Sequence, residues 1–109
     1  MPCPENRENM KRNEIINTDC LDYLHRQPSE SIDFVLTSPP YDTMRLYKRK
    51  VEWSFGIFEN IAAELVRCLR PGGVIVWVVG DETVGHSETG TSFRQALRFK
   101  ELGLDLHDT

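Results

Sequence analysis

Five consecutive residues, Thr37-Ser38-Pro39-Pro40-Tyr41, bring together groups that could take part in chemistry. Ser38 supplies a hydroxyl, and Tyr41 supplies an aromatic ring. Pro39 and Pro40 have no N–H to donate, and each ring fixes φ near about −65°, so the turn is rigid and its carbonyls are held in place. The Ser38 Oγ and the Pro39 carbonyl could therefore accept both N–H groups of a single amine.

Such a pair of acceptors suits the exocyclic amine of a nucleic-acid base. The lone pair of that amine is delocalised into the ring, so the nitrogen is a poor nucleophile until hydrogen bonds draw it towards a pyramidal geometry. Neither a metal nor a strongly basic side chain is needed, and the remaining task is to align the nitrogen with a methyl donor. Tyr41 offers a face for stacking, but the base must first leave the duplex to be reached.

The element that positions this turn is the apolar run before it. Ile32, Phe34, Val35 and Leu36 predict a short strand buried on both faces of a parallel sheet, and the two prolines end it. In open α/β sheets, ligands bind just beyond the carboxyl ends of the strands. The turn is therefore expected at the ligand-binding rim.

Alternating patterns along the chain predict a β-α-β-α-β-α-(β) order, which is typical of a parallel sheet with helices on its faces. The predicted strands are 14–19, 32–37, 74–79 and a start at 104–107, and the predicted helices run from about 21, 55–69 and 93–102. Pro71-Gly72-Gly73 is expected to end the second helix, and 82–90 is expected to be a polar loop. The fold class is thus α/β, a partial doubly wound parallel sheet.

Several single residues have two interpretations each. Asp19 is either a helix N-cap or a ligand-binding acid, and Asp81 is more readily explained by turn chemistry than by ligand binding. Trp53 belongs to the core at a helix entrance or lines the pocket. On the third helix, Phe93, Ala96 and Leu97 are expected on the inner side, with Phe99 or Leu102. Segment 42–50 carries four cations, which form either a solvated loop or a phosphate contact.

Composition limits the class of protein. The 109 residues suffice for one small domain, with 28% charged and 39% hydrophobic residues. Residues 1–13 are expected to be a flexible polar leader, with no signal peptide or membrane span anywhere. Cys3, Cys20 and Cys68 lack metal-ligand spacing and fit free thiols in a reducing cytoplasm. The net charge of −4 argues against DNA binding through a basic face of this segment alone.

Thr37 to Tyr41, following Ile-Asp-Phe-Val-Leu, resembles the catalytic motif of the amino-directed DNA methyltransferases, the N4-cytosine and N6-adenine enzymes. Segment 18–24 is similar to the strand end near their cofactor, and 69–75 resembles their helix-to-strand turn. The resemblance implies a Rossmann-like fold and site-specific methyl transfer from S-adenosylmethionine to a flipped base in double-stranded DNA, as in restriction–modification systems. Serine at Ser38, rather than aspartate, favours N4-cytosine.

The resemblance also assigns roles to residues. It implies catalytic roles for Ser38, Pro39, Pro40 and Tyr41. It implies cofactor contacts from Asp19, whose counterpart faces the adenine end of the cofactor, and from Cys20, Thr37 and Ser38. No metal ligands are implied.

One departure from the family pattern is the lack of a Phe-x-Gly-x-Gly loop, the principal cofactor-binding element. In permuted members that loop follows the target-recognition segment. We therefore expect 14–109 to be the N-terminal part of a permuted, truncated catalytic domain, which binds cofactor weakly by itself and self-associates through an exposed sheet edge. The alternatives are a methyltransferase acting on a small molecule or a protein amide, and a non-catalytic fragment that needs a partner chain.

Overall fold

The structure is a computed structural model that describes residues 13–40 and 53–108. Its elements are α1 (Cys20–His25), β1 (Ile32–Thr37), α2 (Phe55–Cys68), β2 (Leu69–Trp77), β3 (Thr83–Val84), β4 (Ser87–Glu88) and α3 (Thr91–Glu101). The alternation of helices with two parallel strands confirms the α/β fold class. No helix in these two ranges is long and apolar enough to cross a membrane. The leader, at 1–12, lies outside the described residues.

The central unit is a parallel pair of strands, β1 and β2. Phe34 pairs with Val74 and Thr37 with Trp77, but Ile32 pairs with Leu69, so the intervening residues of β2 form a bulge. Gly72 in this bulge has a φ of 83°, and a side chain at Gly73 would come within 2.7 Å of Leu69. The expected turn at 71–73 is thus a bulge within a strand that begins directly after α2.

All three helices pack against one face of this sheet. Leu24 of α1 joins Leu65 and Cys68 of α2 in one buried cluster, against which Val35 and Ile75 pack. Phe58 of α2 and Phe99 of α3 form a second cluster that includes Trp77. The periodicity of α2 and the burial of Cys68 were correctly predicted, because a single apolar stripe is enough to define a one-sided contact.

The opposite face of the sheet is exposed, so the expectation of burial on both faces is wrong for the part of the chain described. Five apolar side chains on the two strands and just after them are between 38% and 65% exposed: Phe34, Leu36, Val74, Val76 and Val78. Two described helices follow β1 and one precedes it, but none crosses to this side. The sequence indicates that a strand is apolar, but it does not indicate how many faces of the sheet are covered by other elements.

Two predicted strands are not formed. Residues 14–19 have no strand structure, and Ile15 is 98% exposed. Residues 104–107 likewise lack regular structure. A strand exists only through hydrogen bonds to a neighbour, and no described segment pairs with either stretch. The local apolar pattern was therefore insufficient.

The region after β2 also differs from expectation. Strands β3 and β4 pair as an antiparallel hairpin, where a loop was predicted. Its turn residues, Gly85 and His86, both have positive φ, as two-residue hairpin turns require.

The helix α3 begins under a cap that the sequence did not indicate. Thr91 and Ser92 were expected to cap it, but the Asp81 carboxylate does so: one oxygen accepts from the Ser92 backbone N–H and the other from the Ser92 hydroxyl, both at 2.7 Å. Asp81 was predicted to act in its own turn, and the structure shows it bonded to Ser92 of α3 instead. The inner side of α3 was wrongly predicted in part, since Phe93 and Leu97 are exposed whereas Gln95 and Phe99 are buried.

Candidate active site

A cavity of about 600 Å³ lies where β1 ends. It brings together the proline turn, the start of α1 and one side of α2. Its lining residues are Glu14, Ile16, Thr18, Cys20, Tyr23, Leu24, Val35, Thr37, Ser38, Pro39, Pro40, Trp53, Ile61, Leu65 and Trp77. The volume is within the range of about 300–1,000 Å³ that is usual for small-molecule and cofactor sites.

The proline turn forms one wall of this cavity. Thr37, Ser38, Pro39 and Pro40 all line it, with Ser38 exposed and Pro39 buried. The carbonyl of Thr37 accepts a hydrogen bond from the Val78 N–H at 2.9 Å, which ties the end of β1 to the chain beyond β2. Buried Pro39 thus anchors the turn while the Ser38 side remains accessible. Tyr41, predicted beside them, lies outside the described residues, as does the basic segment 42–50.

Asp19 caps the helix α1. Its Oδ2 accepts from the Asp22 N–H at 3.2 Å, and its extended φ and ψ angles of −64° and 135° are those of an N-cap. Asp19 is not among the residues that line the cavity, whereas its neighbours Thr18 and Cys20 are. The N-cap interpretation is confirmed, and the cofactor contact stays a prediction.

Cys20 contributes a thiol to the cavity wall, next to the capping carboxylate. Desolvation raises the pKa of this thiol above its usual value, and the nearby charge of Asp19 raises it further. The sulfur is therefore protonated at neutral pH and serves as a weak polar surface rather than as a nucleophile. The cofactor contact of Cys20 stays a prediction.

Arg67 holds α1, and with it Cys20, against α2. Its guanidinium donates to the carbonyls of Leu24 at 2.8 Å and Gln27 at 3.0 Å, and to the Ser29 hydroxyl at 3.1 Å. Its Nε also bonds Glu64 at 2.7 Å. The last carbonyls of a helix lack intrahelical partners, and Arg67 adds its donors to the Gln27 N–H that already bonds the Leu24 carbonyl at 3.0 Å. The Arg67 side chain therefore ties the end of α1 to α2. Sequence reasoning placed Arg67 only on the polar side of α2.

Two tryptophans complete the cavity wall. Trp53 lines it, in agreement with one of the two interpretations of this residue, and Trp77 lines it as well. Trp77 was not predicted at the site. A signal was available, because Trp77 ends a parallel strand next to β1 and pairs with Thr37, and carboxyl ends of neighbouring parallel strands share one rim.

Comparison with known proteins finds two bacterial methyltransferases among the relatives of this chain. The chain is 60% identical over 79 residues to the orphan methyltransferase M.BamHII of Bacillus amyloliquefaciens, and 36% identical over 70 residues to the type II methyltransferase M.BglII of Bacillus subtilis. The chain belongs to the DNA methyltransferase family. No family model matches the sequence.

The structural comparison agrees with the sequence relatives. TTHA0409 of Thermus thermophilus, a proposed DNA modification methylase, superposes with a TM-score of 0.62 and 26% identity over 81% of this chain. A selenomethionine crystal structure of the same protein gives a TM-score of 0.64 over 83% of the chain. The chain therefore shares its fold with the matching part of TTHA0409.

The similarity covers only part of each relative. The chain matches 28% of the length of M.BamHII, 19% of M.BglII and 39% of TTHA0409. Conversely, the match to M.BamHII includes 72% of this chain. The activity of a whole DNA methyltransferase is accordingly a proposal for this chain.

Proposed function

We propose that this chain forms part of a catalytic site that transfers a methyl group from S-adenosylmethionine to the exocyclic amine of a base in double-stranded DNA, with N4 of cytosine favoured over N6 of adenine. The observation that carries the proposal is the Ser38-Pro39-Pro40 turn, which lines a cavity at the carboxyl end of a parallel strand. The family membership supports DNA as the substrate, and the free thiols of Cys20 and Cys68 fit a cytoplasmic protein.

In this proposal the turn activates the amine. The Ser38 hydroxyl and the Pro39 carbonyl accept its two N–H groups, which localises the nitrogen lone pair. Pro39 is buried and held by the strand behind it, so the acceptor geometry exists before the base arrives and little reorganisation is needed. Tyr41 stacks on the base, which has left the duplex. Thr37 orients the turn through its link to Val78.

The residues of the cavity fit the proposed cofactor. A volume of about 600 Å³ accommodates a molecule of that size, and the wall combines aromatic rings with hydroxyls from Thr18, Thr37 and Ser38. Thr37, Ser38 and Cys20 would hold it, and Asp19 is proposed to face its adenine end from beside the wall. When bound, S-adenosylmethionine supplies an electrophilic methyl group. The chain contributes position, exclusion of water and the two hydrogen-bond acceptors.

A segment exchange tests the proposal directly. Residues of M.BamHII that match this chain would be replaced by those of the chain, which is feasible at 60% identity. DNA from cells that express the chimaera would then be hydrolysed and its nucleosides analysed by mass spectrometry. We expect methylated N4 of cytosine or N6 of adenine, and the identity of the product decides the preferred base.

The same chimaera with Ser38→Ala tests the role of the turn, and Ser29→Ala is its matched control. Losing one of two acceptors should lower the rate by about 100-fold or more, the usual effect of removing one transition-state hydrogen bond. Ser29→Ala, a hydroxyl far from the turn that bonds Arg67, should retain the rate within about threefold. Equal activity of the Ser38→Ala chimaera and its parent would contradict the assigned role.

A second candidate function is that of a non-catalytic segment that needs a partner chain. It is favoured by the exposed apolar face of the two-stranded sheet, since parallel sheets are normally covered on both faces. Co-expression with the remainder of M.BamHII as a separate chain tests it. Co-purification and methylated DNA would support assembly from two chains, and no association would contradict it.

A further inference from the structure

The sequence has two tryptophans, and both line the same cavity. Trp53 precedes α2, and Trp77 ends β2, so they come from separate elements. Each is partly exposed rather than buried. Both also pack against the buried cluster of Phe58, Ala62 and Phe99. They therefore join the core and, in addition, line a cavity that contains the proline turn.

The ring of Trp77 is held in a fixed orientation. Its Nε1–H donates to Oε1 of Gln95 at 3.0 Å, and its ring contacts Phe58 and Phe99 at centroid distances of 5.6 and 5.3 Å, both edge-on. Gln95 is 1% exposed. A buried amide is costly unless it is hydrogen-bonded, so the bond to Trp77 accounts for a glutamine among aromatic rings.

A rigid flat ring at a cavity wall is suited to one class of ligand. Planar heteroaromatic rings stack on aromatic side chains, at a gain equivalent to roughly 5- to 150-fold in affinity for each ring. Pre-orientation increases the gain, because the wall then loses no rotamer freedom on binding. Nothing else on the wall holds a ring of this size at a fixed angle by both a hydrogen bond and ring contacts within the described residues.

We propose that Trp53 and Trp77 form a binding wall for a planar heteroaromatic ring and that Gln95 is a positioning residue that acts through Trp77. The inference rests on the proposed function only for the source of the ring, which is either the adenine of the methyl donor or the extruded base. Binding of the ring itself requires no methyl transfer.

Intrinsic fluorescence and indole N–H resonances of the 109-residue chain test the inference. In a Trp53→Phe variant, Trp77 is the remaining tryptophan and reports on the wall by itself. Adenosine at millimolar concentration should quench its emission and shift its indole N–H signal, whereas homocysteine, which has no ring, should do neither. Deoxycytidine replaces adenosine in the second arm. A response to deoxycytidine assigns the wall to the extruded base. A response to adenosine alone assigns it to an adenine ring, which is that of the donor when the methylated product of the chimaera is cytosine and that of the extruded base or the donor when the product is adenine.

Gln95→Leu tests the positioning role in the Trp53→Phe background. We expect the Kd for the responding nucleoside to rise about tenfold and the indole N–H resonance to move, with the far-UV circular dichroism spectrum retained. Gln27→Leu is the matched control, because the Gln27 amide also takes part in a hydrogen bond, which it donates at 3.3 Å to the backbone carbonyl of Tyr23 rather than to a tryptophan. It should leave the Kd within about twofold.

Two results would overturn the inference. The first is the absence of any response of the two indole signals in the unmodified chain to either nucleoside, a measurement that does not depend on a variant's folding. The second is an unchanged Kd in Gln95→Leu. If the M.BamHII chimaera methylates DNA while neither nucleoside shifts the indole signals, the inference fails and the proposed function stands. If the nucleosides bind but the chimaera does not methylate DNA, the inference stands and the proposed function fails.

Discussion

Replacement of Arg67 by alanine is expected to detach α1 from α2 and to destabilise the chain. In the structure this side chain reaches two carbonyls at the end of α1 and one hydroxyl beyond it, and it also bonds Glu64 on its own helix. Alanine removes all of these bonds. The Gln27 carbonyl then loses its bond to Arg67, whereas the Leu24 carbonyl keeps the bonds that it accepts from the Gln27 N–H at 3.0 Å and the Cys68 thiol at 3.6 Å.

The size of the effect follows from the kind of bond. Hydrogen bonds from a charged donor contribute roughly 1.5–3 kcal/mol each to stability. The Arg67 side chain is 34% exposed, so water competes for part of that contribution, and not every bond adds independently. We expect a loss of about 2–4 kcal/mol in the free energy of unfolding, which is large for a domain of this length.

Urea denaturation followed by circular dichroism measures the change, with the slope of the transition compared between variants. Arg70→Ala is the matched control, because Arg70 is three residues further along and forms an ion pair with Asp33 in which both side chains are more than 40% exposed. An exposed pair of that kind contributes about 0–1 kcal/mol. Equal midpoints for Arg67→Ala and Arg70→Ala would show that the guanidinium does not hold α1.

Three further predictions concern other parts of the chain. Asp81→Ala removes the cap of α3 and should cost about 1–2 kcal/mol by urea denaturation, whereas Asp105→Ala, at an exposed position, should cost under about 0.5 kcal/mol. Because the pKa of Cys20 is raised, its thiol should react with iodoacetamide more slowly than free cysteine at pH 8 and faster as the pH increases. S-adenosylhomocysteine should protect the thiol from this reaction. Equal rates with and without that ligand would argue against a cofactor contact. Because both strands of the β1–β2 sheet have an edge unpaired by any described segment, we expect self-association by sedimentation velocity, and a monomer at high concentration would contradict it.

Residues that are close together in the sequence determined several features of this protein. Two prolines after an apolar run can only end a strand in a rigid turn, so the site at the end of β1 was predictable from Ser38 to Pro40. The apolar stripe of α2 likewise defined a helix and its buried side, and the acid at Asp19 predicted a helix start. These features depend on residues close together in the sequence, where backbone geometry and periodicity are sufficient.

Tertiary structure decided the features that depend on distant partners. Residues 14–19 resemble a strand but have no neighbour to pair with among the described segments. Phe93 resembles a core residue but is 67% exposed. The Trp77–Gln95 hydrogen bond joins a strand to a helix 18 residues later, and Arg67 reaches back 43 residues to Leu24. A sequence specifies which groups are available for contact, but only the folded chain determines which of them meet.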